Sequence, residues 1–104
     1  MSFDTRILEA VNGSTREKPK DLASILAYVD FRERLLLTHQ EMAGGLCRLV
    51  EQGLIAEVAD HRFHEVAPTG TPGAFSGLTP EKYQQACEAY QERFRAIQRK
   101  PSKK

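Results

Sequence analysis

The sequence predicts a mainly α-helical fold with one small β-hairpin. Apolar residues recur at intervals of three and four in four separate stretches, the pattern of amphipathic helices. Two short runs flank Ala59-Asp60-His61 and read as paired strands. One stretch, residues 38–55, carries a helix start signal, an apolar face and a helix stop signal in turn. The rest of the chain is organised around it.

With 104 residues the chain makes one domain with room for a modest core. An apolar content of 40% and a charged content of 28% suit a globular chain rather than a disordered one. No run has the length needed to cross a bilayer. The start, Met1-Ser2-Phe3-Asp4, lacks the basic and apolar pattern of a secretion signal. The expectation is a cytoplasmic protein without membrane contact, in which Cys47 and Cys87 are reduced thiols; a disulfide is the alternative. Net charge is +1 but uneven. Residues 1–78 carry 8 Lys and Arg against 11 Asp and Glu, whereas residues 79–104 carry 7 against 3. The body is mildly acidic and the end basic.

Ser2 or Asp4 can cap a first helix, whose stripe is Ile7, Leu8 and Val11 and whose end is Asn12-Gly13. With Asp4 as the cap, Phe3 and Leu8 are spaced for a hydrophobic staple. Pro19 suits the first position of a second helix, over about residues 19–30, with Leu22, Ile25, Leu26 and Val29 on one face. Residues 31–37 are expected to be an extended connection, a short buried strand at Leu35-Leu36-Leu37 being the alternative.

The central helix starts at Thr38, which forms a capping box with Glu41. Met42, Leu46, Leu49 and Val50 share its inner face. Gln40, Gly44, Cys47 and Glu51 lie opposite, with Arg48 on the flank. Gly53 is suited to the left-handed conformation that ends a helix. Gly44-Gly45 costs roughly 1 kcal/mol per glycine inside a helix, so the pair calls for a reason. Either Gly45 admits a neighbouring helix, or Gly44 admits a ligand or a DNA backbone.

Strands are expected over residues 54–58 and 62–66, with Val58 and Phe63 pointing inward. Pro68-Thr69-Gly70-Thr71-Pro72-Gly73 breaks regular structure, and Phe75 and Leu78 pin this connection to the body. Thr79-Pro80-Glu81 opens a final helix expected to reach about Arg99, roughly 30 Å long at ~1.5 Å per residue. Its stripe is Tyr83, Cys87, Tyr90, Phe94 and Ile97. That stripe either packs on the first helix of the same chain or forms the seam of a two-fold homodimer. The organisation expected is a body over residues 1–67, a Gly/Pro-rich connection over 68–78, the helix over 79–99 and a basic tail over 100–104.

The segment from Asp21 to Phe63 resembles a winged helix-turn-helix domain of the kind found in bacterial regulators. The resemblance rests on Leu22-Ala23-Ser24-Ile25-Leu26-Ala27 as a supporting helix and on the box Thr38-x-x-Glu41. It continues through Leu46-x-x-Leu49-x-x-x-Gly53-Leu54-Ile55 and a hairpin near Phe63. It implies that the third helix enters a DNA major groove and that the hairpin touches the backbone or minor groove, often in a dimer. On that reading His39, Gln40, Gly44, Arg48 and Arg62 are the DNA-binding candidates, with Gln40 suited to adenine and Arg48 to guanine or phosphate. Arg16, Lys18, Lys20, Arg32 and Arg34 add cations near the supporting helix. The alternative is a winged-helix module for protein recognition or dimerisation without DNA, which the acidic body and Glu51 favour.

Catalysis is not expected. His61-x-x-His64 on a strand would send its two rings to opposite faces. His39 and Cys47 are eight residues apart and form no familiar ligand step. Gly70-Thr71-Pro72-Gly73 lacks the lysine and the strand-to-helix setting of a phosphate loop. The chain is therefore read as a non-enzyme with no cofactor and no metal.

Overall fold

The computed structural model describes residues 3–58, 61–66 and 73–93. It is mainly helical, with one antiparallel hairpin. The order is α1 (Asp4–Val11), α2 (Leu22–Glu33), α3 (His39–Glu51), β1 (Ile55–Val58), β2 (Arg62–Glu65) and α4 (Pro80–Arg93).

α3 follows its sequence signals at both ends. Thr38 accepts from the Glu41 amide at 3.1 Å, and the Glu41 carboxylate accepts from the Thr38 amide at 2.9 Å, which closes the capping box. Gly53 ends the helix at φ +72°. Met42, Leu46, Leu49 and Val50 are buried, while Gln40 and Glu51 are exposed.

α2 is shifted from the expected span. It starts at Leu22 because Asp21 is the cap, its Oδ1 accepting from the Ser24 amide at 3.0 Å. Pro19 therefore lies ahead of the helix rather than at its first position. Lys20 is held extended, since its amide donates to Phe63 at 2.7 Å and its carbonyl accepts from Phe63 at 2.8 Å. The helix runs on to Glu33 and stops where Arg34 turns left-handed at φ +61°. Residues 31–33 are thus helical, not part of an extended connection, and Leu35-Leu36-Leu37 forms no strand.

α1 also departs from expectation. Its cap position is Phe3, which has no side-chain cap bond, and Asp4 lies inside the first turn. Asp4 is committed elsewhere. Asn12 and Gly13 do end the helix, Gly13 at φ +84°. Just beyond, the buried Ser14 hydroxyl donates to the Val11 carbonyl and accepts from the Glu65 amide at 3.2 Å, tying the end of α1 to β2.

In the hairpin, Ile55 pairs with Glu65, Ala56 with His64, Glu57 with Phe63 and Val58 with Arg62. Cross-strand partners share a face, so Phe63 sits on the face of Ile55 and Glu57, and Val58 on the other. Phe63 and Ile55 are buried, whereas Val58 is half-buried beside exposed Arg62. Val58 is therefore not the inward partner expected; Ile55 is. Ala59 and Asp60 of the expected turn lie outside the described residues, and His61 takes φ +58°.

One core cluster joins Ile7, Leu26, Leu37, Leu46 and Phe63 with Ala86 and Cys87 of α4. Phe75 lies 5.9 Å from the Phe63 ring and Leu78 is buried, so both pin their segment to the body. Thr79 caps α4, accepting from the Lys82 amide at 3.1 Å. Among the described residues α4 packs chiefly on α2. Tyr83 donates to the Leu37 carbonyl and Tyr90 to Asp30, while Tyr90 also packs on Ala23 and Ala27. Tyr83, Cys87 and Tyr90 thus face their own chain; Phe94 and Ile97 lie outside the described residues, as does the expected helix end at Arg99.

Candidate recognition face

The outward side of α3 and the nearby hairpin hold the five residues proposed from sequence. They are not one surface of free side chains. Gln40 is exposed at the start of α3, and Arg62 is exposed at the start of β2. His39 is half-buried: its Nε2 bonds the Leu78 carbonyl and its ring meets Tyr83 edge-on at 5.6 Å. It holds the segment ahead of α4 in place and is not directed outward as a reading side chain.

Arg48 is the one cation on α3, beside the acids Glu41 and Glu51. Its Nε donates to Asp4 Oδ2 at 2.7 Å and its Nη2 to Asp4 Oδ1 at 2.9 Å. This two-point fit is the geometry in which guanidinium and carboxylate pair best. The bond to Asp4 and the charge behind it raise the pKa of Arg48 further.

The two glycines leave room beside this pair. A Cβ at position 45 would stand 2.5 Å from Ile7 Cδ1 and 3.2 Å from Asp4 Oδ1. A Cβ there would force the buried Ile7 side chain to shift, so glycine lets the first turns of α1 lie this close, as expected from tight helix packing. A Cβ at position 44 would stand 3.1 Å from Arg48 Nη1. The space over Gly44 is therefore filled by the chain's own guanidinium. Gly44 and Gly45 together seat α1 and its carboxylate beside Arg48.

Asp4 is the residue that sequence reading missed at this face. By sequence it is, with Ser2, a candidate helix cap, and no local pattern links it to a residue 44 positions away. The adjacent glycines were the available signal, since they announced a close approach without naming the partner.

Cys47 does not have the setting of a nucleophile. Its thiol donates to Glu51 at 3.4 Å, and that bond, burial and the Glu51 charge all push its pKa up, with Arg48 opposing. A reactive thiol needs the opposite shift. Cys87 is buried, and both cysteines are free thiols.

Glu57, His61 and Ser76 come together where the hairpin meets the segment before α4. Ser76 donates to Glu57 through its hydroxyl at 2.7 Å and its amide at 2.9 Å. His61 Nε2 lies 2.9 Å from the Gly77 carbonyl and 3.4 Å from Ser76 Oγ. A carbonyl can only accept, so Nε2 carries the proton and cannot act as base toward Ser76. These three side chains are a tie between segments, not a catalytic set. His64 Nδ1 lies 3.0 Å from the Glu65 carbonyl, a different partner from those of His61. Among the described residues, no three His, Cys, Asp or Glu side chains are grouped to hold a metal ion. No helix among them is long and apolar enough to cross a membrane.

Comparison of the chain with protein-family models, with curated proteins and with solved structures finds no match.

Proposed function

We propose that this chain is a winged-helix DNA-binding module of the regulator type, acting as a homodimer. The observation that carries the reading is the order of elements, with its extended residue between α1 and α2. Lys20 bridges Phe63 of β2, so helix, bridge, helix, helix and hairpin follow one another around one core. In that order α3 is the helix offered to a major groove, and Gln40 and Arg48 are its reading side chains. Arg62 and the exposed Arg16, Lys18 and Lys20 are the candidates for phosphate contact. The dimer contact is proposed at Phe94 and Ile97 of the sequence stripe, because Cys87 and Tyr90 are buried within the chain and Tyr83 is bonded to the Leu37 carbonyl.

A specific observation favours a second reading, recognition of a protein without DNA. Arg48 is paired with Asp4, and the other charges on α3 are Glu41 and Glu51. A face in this state repels phosphate.

A fluorescence titration with a random-sequence duplex pool at low salt separates the two. The DNA reading expects binding that weakens with salt as phosphate contacts release counterions, and that falls in Arg48→Ala. Absence of binding at low salt turns the assignment to the protein-recognition reading. Loss of binding only on removal of Lys103 and Lys104 assigns the affinity to the basic tail instead. Light scattering on the same samples reads the dimer; a monomer at high concentration ends that part of the proposal.

A further inference from the structure

We propose that Asp4 is an intramolecular latch that holds Arg48 closed to nucleic acid, an inference that rests on the DNA-binding reading. The Asp4 carboxylate occupies the Nε and Nη2 edge of the guanidinium, at 2.7 and 2.9 Å, and neutralises its charge, as a phosphate's two oxygens would. It is brought there by packing rather than by chance, because α1 lies over Gly45 and the guanidinium folds over Gly44. The pair is also open to exchange. Arg48 is 49% exposed and Asp4 21%, and ion pairs in contact with water hold weakly. An incoming phosphodiester can therefore take the place of Asp4 without disturbing the core. The free chain then meets non-specific DNA with its central cation neutralised, and only a duplex that displaces Asp4 engages α3 fully.

The test is a duplex titration on the full chain, comparing wild type with Asp4→Asn, Arg48→Ala, the double variant and Glu51→Gln. Asp4→Asn is expected to tighten binding about two- to five-fold, the range an exposed ion pair accounts for. It should also steepen the salt dependence by about one phosphate contact, a slope change of ~0.9. In the Arg48→Ala background the same substitution should do nothing. Glu51 removes an equal charge from the same face without touching Arg48, so Glu51→Gln should leave the slope unchanged. Thermal melting checks that each variant folds, and Asp4→Ser replaces Asp4→Asn if the latter melts early. Equal affinity of Asp4→Asn and wild type, with Arg48→Ala weaker, overturns the latch and leaves the DNA reading standing. A gain from Asp4→Asn that persists without Arg48 also overturns the latch, since the aspartate then acts only through its field. If no variant binds duplex, the DNA reading falls and the latch with it.

Discussion

Arg93 grips Asp21 across 72 residues, and Arg48 grips Asp4 across 44. Both are two-point pairs between an exposed arginine and a half-buried aspartate near the start of a helix. Their surroundings differ. Asp21 has two duties: it caps α2 through the Ser24 amide and fastens the end of α4 through Arg93 at 2.9 and 3.2 Å. Burial alone would raise its pKa, yet the bonds from Arg93 and Ser24 and the Arg93 charge win and lower it to about 2. Asp4 is not the cap of α1, and its carboxylate bonds the outward-facing Arg48. The difference teaches that a two-point pair, made end-on through Nη1 and Nη2 of Arg93 or side-on through Nε and Nη2 of Arg48, is structural where the carboxylate also serves a helix end, and exchangeable where it serves only the arginine.

The comparison can be broken hardest at Gly45. Valine there meets buried Ile7 and the Asp4 carboxylate, and overpacking of this kind costs about 1–3 kcal/mol. Chemical denaturation should show that loss, and α1 should be displaced from α3. A variant of wild-type stability would mean that α1 lies elsewhere, and the Asp4–Arg48 pair would go with it.

Next in size is the direct contrast of the two aspartates. Asp21→Ala removes a cap and a partner, and should cost roughly 0.5–2 kcal/mol, mostly from the cap. Asp4→Asn removes only a surface pair and should stay within about 1 kcal/mol. Equal losses in the same denaturation experiment would erase the distinction drawn between them.

The smallest effect lies in acid. Asp21 is an acid whose folded pKa is below its unfolded value of 3.8, so its contribution is complete above about pH 4. That contribution fades as pH falls toward about 2, where the folded carboxylate takes up its proton. Wild type should lose more stability across this window than Asp21→Asn, which has no carboxylate there to titrate. Parallel acid profiles for the two proteins would show that the pair with Arg93 does not form in solution.

Local signals were legible in the sequence because their partners are local. Thr38 and Glu41 are three residues apart, and the stripe Met42, Leu46, Leu49 and Val50 repeats within one helix. Gly53, Asn12-Gly13 and Thr79-Pro80 marked helix ends through conformations and missing donors that belong to those residues themselves. The hairpin was legible as well, though not its face. Which of Ile55 or Val58 points inward depends on register, and register is fixed by pairing with the partner strand.

What the tertiary structure decided is what each polar group does once helices meet. His39 has the sequence position of a reading side chain, but the segment before α4 supplies the Leu78 carbonyl and turns the ring inward. Lys20 has no strand signal, yet Phe63 presents a free amide and carbonyl beside it, and the backbone pairs. The α4 stripe fits either a partner or the chain's own body; the short connection of residues 34–38 and the Tyr83–Leu37 and Tyr90–Asp30 bonds bring it onto α2. Arg48 is the plainest case. Its charge, its helix and its flank position follow from the sequence alone. Its neutralisation by Asp4 follows from helix packing over Gly44 and Gly45, because an ion pair depends on distance in space and not on separation along the chain.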